Sequence, residues 1–566
     1  MVHVITQNCC NDATCVTVCP VNCIHPTPDE PGYATAEMLY VDPETCIDCG
    51  ACVDVCPVEA ISPDFDLTED TERYLEINAH YFAEPAHRDY PARREERPKP
   101  KVEVSQSGPL RVAIVGSGPS ACYAAEEVLS RKGVAAEVHL FERLPAPWGL
   151  VRFGVAPDHQ ATKSVTEAFT GTARRKGLDL HLNVEVGRHL THEEVLAHHH
   201  AVIYASGAPG DRGLGVPGEA LPGSHPATDF VAWYNGHPDF AGRTFDLSTE
   251  RAVIVGNGNV ALDMARMLVS DVAGLARTDL ADHALEVLAA SNIREVVVLG
   301  RRGPAQAAFT TPELLGLAAT GGFEVVVDPA EVELDPLTAV SLNRHAMAAL
   351  KVRILGELAA RPSAGTDKRV ILRFLSSPVE ILGGDRVRGL RVVRNELVDP
   401  GDGRLEARAA GDTEDIECGL VLRSIGYQGD PLPGLPFDDR RGTLPNDRGR
   451  VIDPARCAPV TGVYAAGWIK RGPSGVIGTN KRCAEETVQA LFDDYTAGRL
   501  VAPAHGAGAL RALIAERQPH ALDYPAWQAI DRHERNAGRK QRRPRVKLTS
   551  VSEMLDVAES ARGTAG

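Results

Sequence analysis

A chain of 566 residues with 43% apolar residues and a formal net charge of −16 is long enough for about three or four globular domains. No run approaches the ~18 apolar residues of a membrane helix, and residues 1–11 lack the basic start and apolar core of a signal peptide. The expectation is a cytoplasmic protein without membrane spans, working as a monomer.

Nine of the thirteen cysteines fall within the first 56 residues. They end in Cys46-x2-Cys49-x2-Cys52-x3-Cys56-Pro57, the spacing of bacterial iron–sulfur ferredoxins, where a tight loop sets three thiolates on one cluster and a fourth points elsewhere. A first half-motif, Cys9, Cys10, Cys15 and Cys19-Pro20 with Cys23 beyond, repeats the Cys-x3-Cys-Pro ending. The duplication predicts two clusters with crossed ligation: Cys19 with Cys46, Cys49 and Cys52 on a [4Fe–4S] cluster, and Cys56 with Cys9 and Cys15 on the other. A regular Cys-x2-Cys-x2-Cys loop is absent from the first site, and the neighbours Cys9 and Cys10 are not expected to reach one cluster together. Three ligands fit a [3Fe–4S] cluster, as in the seven-iron ferredoxins that this segment resembles. The gap from Cys9 to Cys15 is shorter than in that family, so [4Fe–4S] stays open as the alternative. Structural zinc fits the repeated Cys-Pro ending poorly, and a disulfide scaffold would need an oxidising compartment.

Residues 1–82 hold fifteen Asp or Glu against the single Arg73, so most of the net negative charge sits on the cysteine-rich segment. That asymmetry suits electrostatic docking between electron-transfer partners. Residues 83–108, rich in proline and arginine and without apolar periodicity, read as an extended linker that raises the effective concentration of each part for the other.

Residues 110–133 give an apolar strand, Gly116-x-Gly118-x-Ser120-Ala121, and a helix. The first glycine makes the tight turn, the second admits a pyrophosphate, and the small third residue lets helix pack on strand. The next strand ends in Glu142, where a carboxylate can accept hydrogen bonds from an unphosphorylated ribose, as in FAD or NAD. A second unit at 251–266 repeats Gly256-x-Gly258-x-x-Ala261, but its partner strand runs into Gly300-Arg301-Arg302. Two guanidiniums in place of the acid favour a ribose 2′-phosphate, hence NADP.

Near the end of this body stands TGVYAAGWIKRGPSGVIGTNK at 461–481. Many flavoproteins carry an aspartate where this chain has Trp468, and the Gly475-Val476-Ile477-Gly478 turn leads into a helix whose amides can stabilise negative charge. His198-His199-His200 reads as a polar helix end. The basic run Arg539 to Arg545 reads as a solvated loop, with no nucleic-acid partner expected.

From about 109 to 500 the chain resembles the adrenodoxin reductase type of ferredoxin–NADP reductase, through GSGPSA at 116–121, PAPWGLVRFGVAPDH at 145–159, GNGNVALDMAR at 256–266, GRRGPAQAAFTTPEL at 300–314 and GWIKRGPSGVIGTNK at 467–481. With its front segment it is similar to bacterial reductases carrying a fused ferredoxin domain. The resemblance implies FAD against Gly116, Gly118, Ser120, Ala121, Glu142, Leu150, Val186, Trp468, Gly475, Val476 and Ile477. It implies NADP(H) at Arg212, Asn257, Gly258, Asn259, Val260, Arg301, Arg302, Glu313 and Gly475, with His159 near the flavin as a supporting catalytic residue. A carboxylate expected three residues after Glu313 is Gly316, which leaves a His/Glu pair incomplete.

The expected fold is α/β with an α+β N-terminal domain: a ferredoxin-like domain, then two Rossmann-like dinucleotide-binding domains with the NADP domain inserted in the FAD domain. Expected boundaries are 1–82 for the ferredoxin domain, 83–108 for the linker, 109–211 with 425–500 for FAD, 212–424 for NADP, and 501–566 for a C-terminal extension. The expected activity passes hydride from NADPH to FAD and then single electrons to the clusters or to a separate ferredoxin. The alternative is an electron-input subunit like the small subunit of glutamate synthase. A disulfide reductase would need a cysteine pair, and Cys122, Cys418, Cys457 and Cys483 form no Cys-x-x-Cys; they read as buried apolar residues.

Overall fold

The computed structural model describes residues 1–95, 108–342, 345–401 and 405–564. In the cysteine-rich segment, strand His3–Ile5 pairs antiparallel with Ile61–Pro63, and Ile24–His25 pairs antiparallel with Tyr40–Val41. Helix Arg73–Tyr81 lies across both, and its buried Asn78 ties them together. Its amide oxygen accepts from Ile5 N (3.3 Å) and Val41 N (2.9 Å), while its Nδ2 donates to Ile5 O (2.9 Å). A small iron–sulfur module has little apolar core, so such a polar tie carries a large share of its order.

The linker reading needs revision over its described half. Tyr90 stacks on His25 with ring centroids 3.8 Å apart and donates its hydroxyl to Asp42 at 2.6 Å. His87 stacks on Tyr81 at 4.0 Å, and Asn22 Nδ2 donates to Pro91 O at 3.0 Å. Residues 84–91 therefore clasp the ferredoxin module; proline content hid aromatic contacts that no periodicity reports. Residues 96–107 of that expectation lie outside the described residues.

Two sheets follow. In the first, strands Leu110–Val115, Ala136–Glu142, Leu178–Leu182, Ala201–Tyr204 and Ala458–Ala465 run parallel, and the hairpin of Asn446–Asp447 with Arg450–Asp453 closes one edge. The second is wholly parallel, in the order Ser224–Pro226, Leu420–Arg423, Arg251–Val255, Glu295–Leu299, Arg369–Arg373, Glu324–Val327. Strands such as Ala201–Tyr204 are buried at every position, which is why they read as unbroken apolar runs. The chain leaves the first sheet after Tyr204 and returns to it at Asn446, so the second is an insertion. The crossings out and back pair as a short ribbon, Gly210–Asp211 against Tyr427–Gln428.

The C-terminal residues fold back on the first sheet. Leu522 bridges Leu182, and helices Tyr524–Lys540 and Val551–Thr564 pack together. Fully buried Glu534 holds Arg152 through 2.6 and 2.9 Å bonds and Arg545 at 3.0 Å. Arg543 is likewise buried and paired with Asp282. The basic run is thus partly a structural clamp, not a solvated loop; its acidic partners lie up to several hundred residues away in sequence. The histidine run does end a helix, His192–His198, but it is buried: His199, at 1% exposure, shares a 2.6 Å contact with His139 in the sheet face.

Replacing Glu534 with Gln leaves two buried guanidiniums short of charge, and the expected cost is ~3–5 kcal/mol in urea unfolding. Salt-bridging to Arg152 and Arg545 outweighs burial and holds the Glu534 pKa below its ordinary value. Its stabilisation is therefore present above the unfolded carboxyl pKa of about 4.3 and lost as pH falls through the lower folded value. Glu534→Gln is expected to flatten that acid-side loss.

Candidate functional site: two dinucleotide clefts beside an iron–sulfur module

Both fingerprint turns use the same device. Gly116 has φ 107° and Gly256 φ 110°, conformations that disfavour a side chain. A Cβ on Gly116 would lie 2.5 Å from Ala205 O, and one on Gly256 would collide with Ser424 O. Over Gly118 and Gly258 a Cβ would meet nothing, so open space lies where a pyrophosphate would approach. The helices Pro119–Ser130 and Asn259–Val269 start there without a side-chain cap, which leaves their first N–H groups free for an anion.

Glu142 ends its strand beside Gly116 and accepts from Ser117 Oγ (2.5 Å) and Leu144 N (3.0 Å). Burial, only partly offset by these bonds, raises its pKa. Trp148, which the sequence reading passed over, is buried at φ 85° and donates its N–H to Ser117 Oγ at 3.2 Å. Strain of that kind in a bulky residue is held only where the surroundings dictate it. It sets the turn that brings Gly149 against Gly118 and leaves Leu150 40% exposed at the cleft. Ser120 reaches across to Asn480 Oδ1 (2.9 Å), joining the first fingerprint to the helix Thr479–Thr496. Trp468 lies 5.3 Å from Tyr427 and donates to Ser474 O, and Val186 lies half-buried in the sheet-edge cluster. These features fit FAD: a glycine cradle, an uncapped helix start, a ribose acceptor and an apolar wall.

At the second cleft, Asn259 and Thr310 exchange bonds at 2.8 and 3.3 Å, and Asn257 Oδ1 accepts from Ala308 N, latching the fingerprint turn to the 300–310 loop. Val260 opens the helix beside them. Arg301 and Arg302 stand at the end of strand Glu295–Leu299, and among the described residues neither makes an ion pair. Burial and its neighbour Arg301 lower the pKa of Arg302. Arg212 sits at the domain crossing, where its N–H donates to Gly426 O.

Between the clefts lies a network that sequence reasoning missed. Arg266, 2% exposed, binds Asp158 (2.6 Å), Asp263 (2.6 Å), Glu313 (2.9 Å) and His159 Nε2 (2.9 Å). His159 Nε2 stands 3.8 Å from Glu313, so the histidine has a carboxyl partner after all, supplied by Glu313 itself. Burial first, then the Asp263 charge, raises Glu313 to about 7, while His159 and Arg266 pull the other way. The sequence signal was the i,i+3 pair Asp263/Arg266 inside the fingerprint helix. Gly316 has a reason: the Gln7 side chain of the ferredoxin module occupies the position its Cβ would need.

The cysteines gather in two groups. Cys23 Sγ lies 3.4 Å from Cys19 Sγ, and its hydrogen bonds hold Cys19 down at about 6 and Cys46 at about 5. Charge on Cys46, Cys19 and Cys49 in turn helps burial raise Cys52, so these thiols share one site. Cys9, Cys15 and Cys56 act on one another in the same way at the second. Cys23, which the sequence reading left without a role, is thus a thiol hydrogen-bonded within the Cys19/Cys46 group. Of the four later cysteines, Cys457 is exposed; Cys122, Cys418 and Cys483 are buried.

The module docks across both clefts. Gly478 N donates to Cys10 O at 2.7 Å, and a Cβ on Gly478 would collide with the Asn11–Asp12 backbone. Glu37 accepts from Thr311 N and binds Lys351, each at 2.7 Å. Ser164 Oγ donates to Pro57 O at 2.7 Å, and Lys481 Nζ to Thr14 Oγ1 at 3.2 Å.

Two nucleotide clefts of opposite ribose preference, with an iron–sulfur module seated on both, define a pyridine-nucleotide-dependent electron-transfer reductase. Residues 39–62 match the 4Fe-4S binding domain family. The chain is 51% identical over 568 residues to a probable ferredoxin/ferredoxin–NADP reductase of Mycobacterium bovis, covering 99% of this chain and 96% of that one. It is 40% identical over 464 residues to mitochondrial NADPH:adrenodoxin oxidoreductase of Salvelinus fontinalis, covering 80% and 91%. Mycobacterium tuberculosis FprA in complex with NADPH superposes with a TM-score of 0.76 at 45% identity, covering 80% of this chain and all of that one. The chain belongs to the ferredoxin/ferredoxin–NADP reductase family and is an NADPH–ferredoxin oxidoreductase.

Replacing Arg301 and Arg302 with Leu is expected to raise the KM for NADPH roughly 10- to 100-fold, with NADH little affected, since charge-assisted bonds contribute about 1.5–3 kcal/mol. The pH dependence of NADPH-driven flavin bleaching is expected to inflect near 7 through Glu313. In stopped-flow traces that inflection disappears in Glu313→Gln and moves upward in His159→Gln, because the histidine favours the ionised carboxylate.

Proposed function

We propose that the chain is an FAD-dependent NADPH:ferredoxin reductase in which the fused module is the first electron acceptor. FAD is held by residues 109–211 with 425–500, at Gly116, Gly118, Ser120, Ala121, Glu142, Leu150, Val186, Trp468 and Gly475 to Ile477. NADPH is held by residues 212–424, through Asn257 to Val260, Arg301, Arg302, Arg212 and Glu313. When bound, FAD accepts electrons as a hydride pair and gives them up singly, chemistry that no side chain here offers. The protein orients the donor through the arginine pair and lets Glu313, with His159 and Arg266, hold or release a proton beside the nicotinamide site.

The observation that carries the reading is the 2.7 Å bond from Gly478 N to Cys10 O. It joins the turn assigned to the flavin directly to the loop that carries Cys9 and Cys15. The Cys19/Cys46/Cys49/Cys52 site is the outer one, with Cys49 and Ile47 exposed for an external one-electron carrier. Four cysteines there hold a [4Fe–4S] cluster; the three at the inner site would by themselves hold a [3Fe–4S] cluster.

Anaerobic NADPH titration of the whole protein, followed by absorbance and EPR, tests this. Flavin bleaching and cluster signals are expected to appear together; a protein whose clusters stay oxidised while the flavin bleaches refutes the relay. In Lys351→Glu, bleaching keeps its rate while cluster reduction slows by about tenfold or more, and Glu37→Lys added to it restores the rate. Rising salt is expected to slow reduction of an external carrier and to spare the internal step, whose Glu37–Lys351 pair is buried.

A further inference from the structure

The two halves of the cysteine-rich segment repeat with an offset of 37 residues: Cys9, Cys15, Cys19, Pro20 and Val21 recur as Cys46, Cys52, Cys56, Pro57 and Val58. In that register the second ligand of the later loop, Cys49, corresponds to Asp12. The backbone keeps the same register. Asn11 and Ala13 have φ 56° and 56°, and their counterparts Asp48 and Gly50 have φ 57° and 73°. Beyond the last cysteine, Asn22 and Glu59 match again at 54° and 51°. A helix begins after each loop, at Thr14 and at Ala51, and N–H···S bonds close both turns, Cys23 N to Cys19 Sγ (3.4 Å) and Ala60 N to Cys56 Sγ (3.2 Å). Ala13 takes a left-handed conformation that Gly50 takes without strain, so the loop shape is kept against the preference of its residue.

Building on the iron–sulfur reading of this segment, we propose that the Asp12 carboxylate is the fourth ligand of the inner cluster, making it a [4Fe–4S] cluster with one oxygen-held iron. Cys10 is not the ligand. Its position in the repeat is that of Ile47, which is 58% exposed and no ligand, and the Cys10 side chain is itself packed into the apolar cluster of the reductase's first sheet. Thr14 donates its N–H (3.3 Å) and hydroxyl to the two Asp12 oxygens, which leaves lone pairs on each for a metal. Thr14 in turn contacts Lys481, so this ligand is positioned from the reductase side.

A hard carboxylate holds iron in a sulfide cube less firmly than a thiolate does. Oxidation then releases that iron: [4Fe–4S]2+ gives [3Fe–4S]+, Fe2+ and one electron, the electron going to an added one-electron oxidant such as ferricyanide. Iron and sulfide analysis with EPR on the whole, anaerobically purified protein tests the assignment. About eight irons per chain are expected, with no three-iron signal until ferricyanide is added. Asp12→Ala should hold about seven irons and show the three-iron signal from the start, with the outer-cluster signal unchanged as an internal control. Asp12→Cys, which completes Cys-x2-Cys-x2-Cys, should keep about eight and resist ferricyanide. Seven irons in the wild type after anaerobic incubation with Fe2+, or a wild type and Asp12→Ala that behave alike, would overturn the ligand. A wild type with no iron or sulfide would instead overturn the iron–sulfur reading beneath it.

Discussion

The fused design depends on one close backbone approach, the Gly478 N–H to Cys10 C=O bond. Electron transfer between buried centres falls steeply with distance, and this bond sets the loop that carries Cys9 and Cys15 against the turn proposed to hold the flavin. Any side chain on residue 478 would collide with Asn11 and Asp12 and hold the two apart. Gly478 also begins the helix Thr479–Thr496, and one of that helix's uncapped N–H groups is thereby spent on the ferredoxin module. The same element serves the flavin pocket on one side and the cluster loop on the other.

Charge brings the halves together but does so selectively. The acidic excess of the module is mostly on its surface, and exposed pairs such as Arg353 with Glu76 contribute little each. Glu37 is different. It meets a buried lysine and the first N–H of helix Thr311–Ala319, so breaking it strands a charge in a dry interface. Gly316, one turn further along that helix, completes the seat by yielding space to Gln7. A glycine that looks like a missing carboxylate in the reductase is thus part of the contact with the fused module.

What could be read from sequence was whatever a local pattern encodes. The fingerprints at Gly116 and Gly256, the acid at 142 and the arginines at 301 and 302 sit at fixed offsets from their strands because one turn and one crossover dictate them. The Arg266 network escaped because Asp158 and Glu313 come from elements 108 and 47 residues away, and only the folded clefts bring them together. The clamp of Arg543 and Arg545 escaped for the same reason, as did the aromatic clasp at Tyr90. Asp12 was hidden differently: a count of cysteines cannot see a ligand that is not a cysteine, although the spacing around it was complete.

The chain's two kinds of duplication were used in opposite ways. The dinucleotide folds keep the same turn, down to φ angles of 107° and 110°, and diverge at the residue that meets the ribose, so one unit takes a resident cofactor and the other a substrate. The iron–sulfur halves keep their loop shape and diverge at residues 12 and 49 and at 23 and 60. There the inner site gains an oxygen donor, while the outer site gains the Cys23 thiol, which lowers the pKa of two of its ligands. Sulfur-directed hydrogen bonds and ligand softness are the terms that set cluster potential. The two halves thus share a backbone and differ in the groups set around their cysteines, a carboxylate at one and an added thiol at the other.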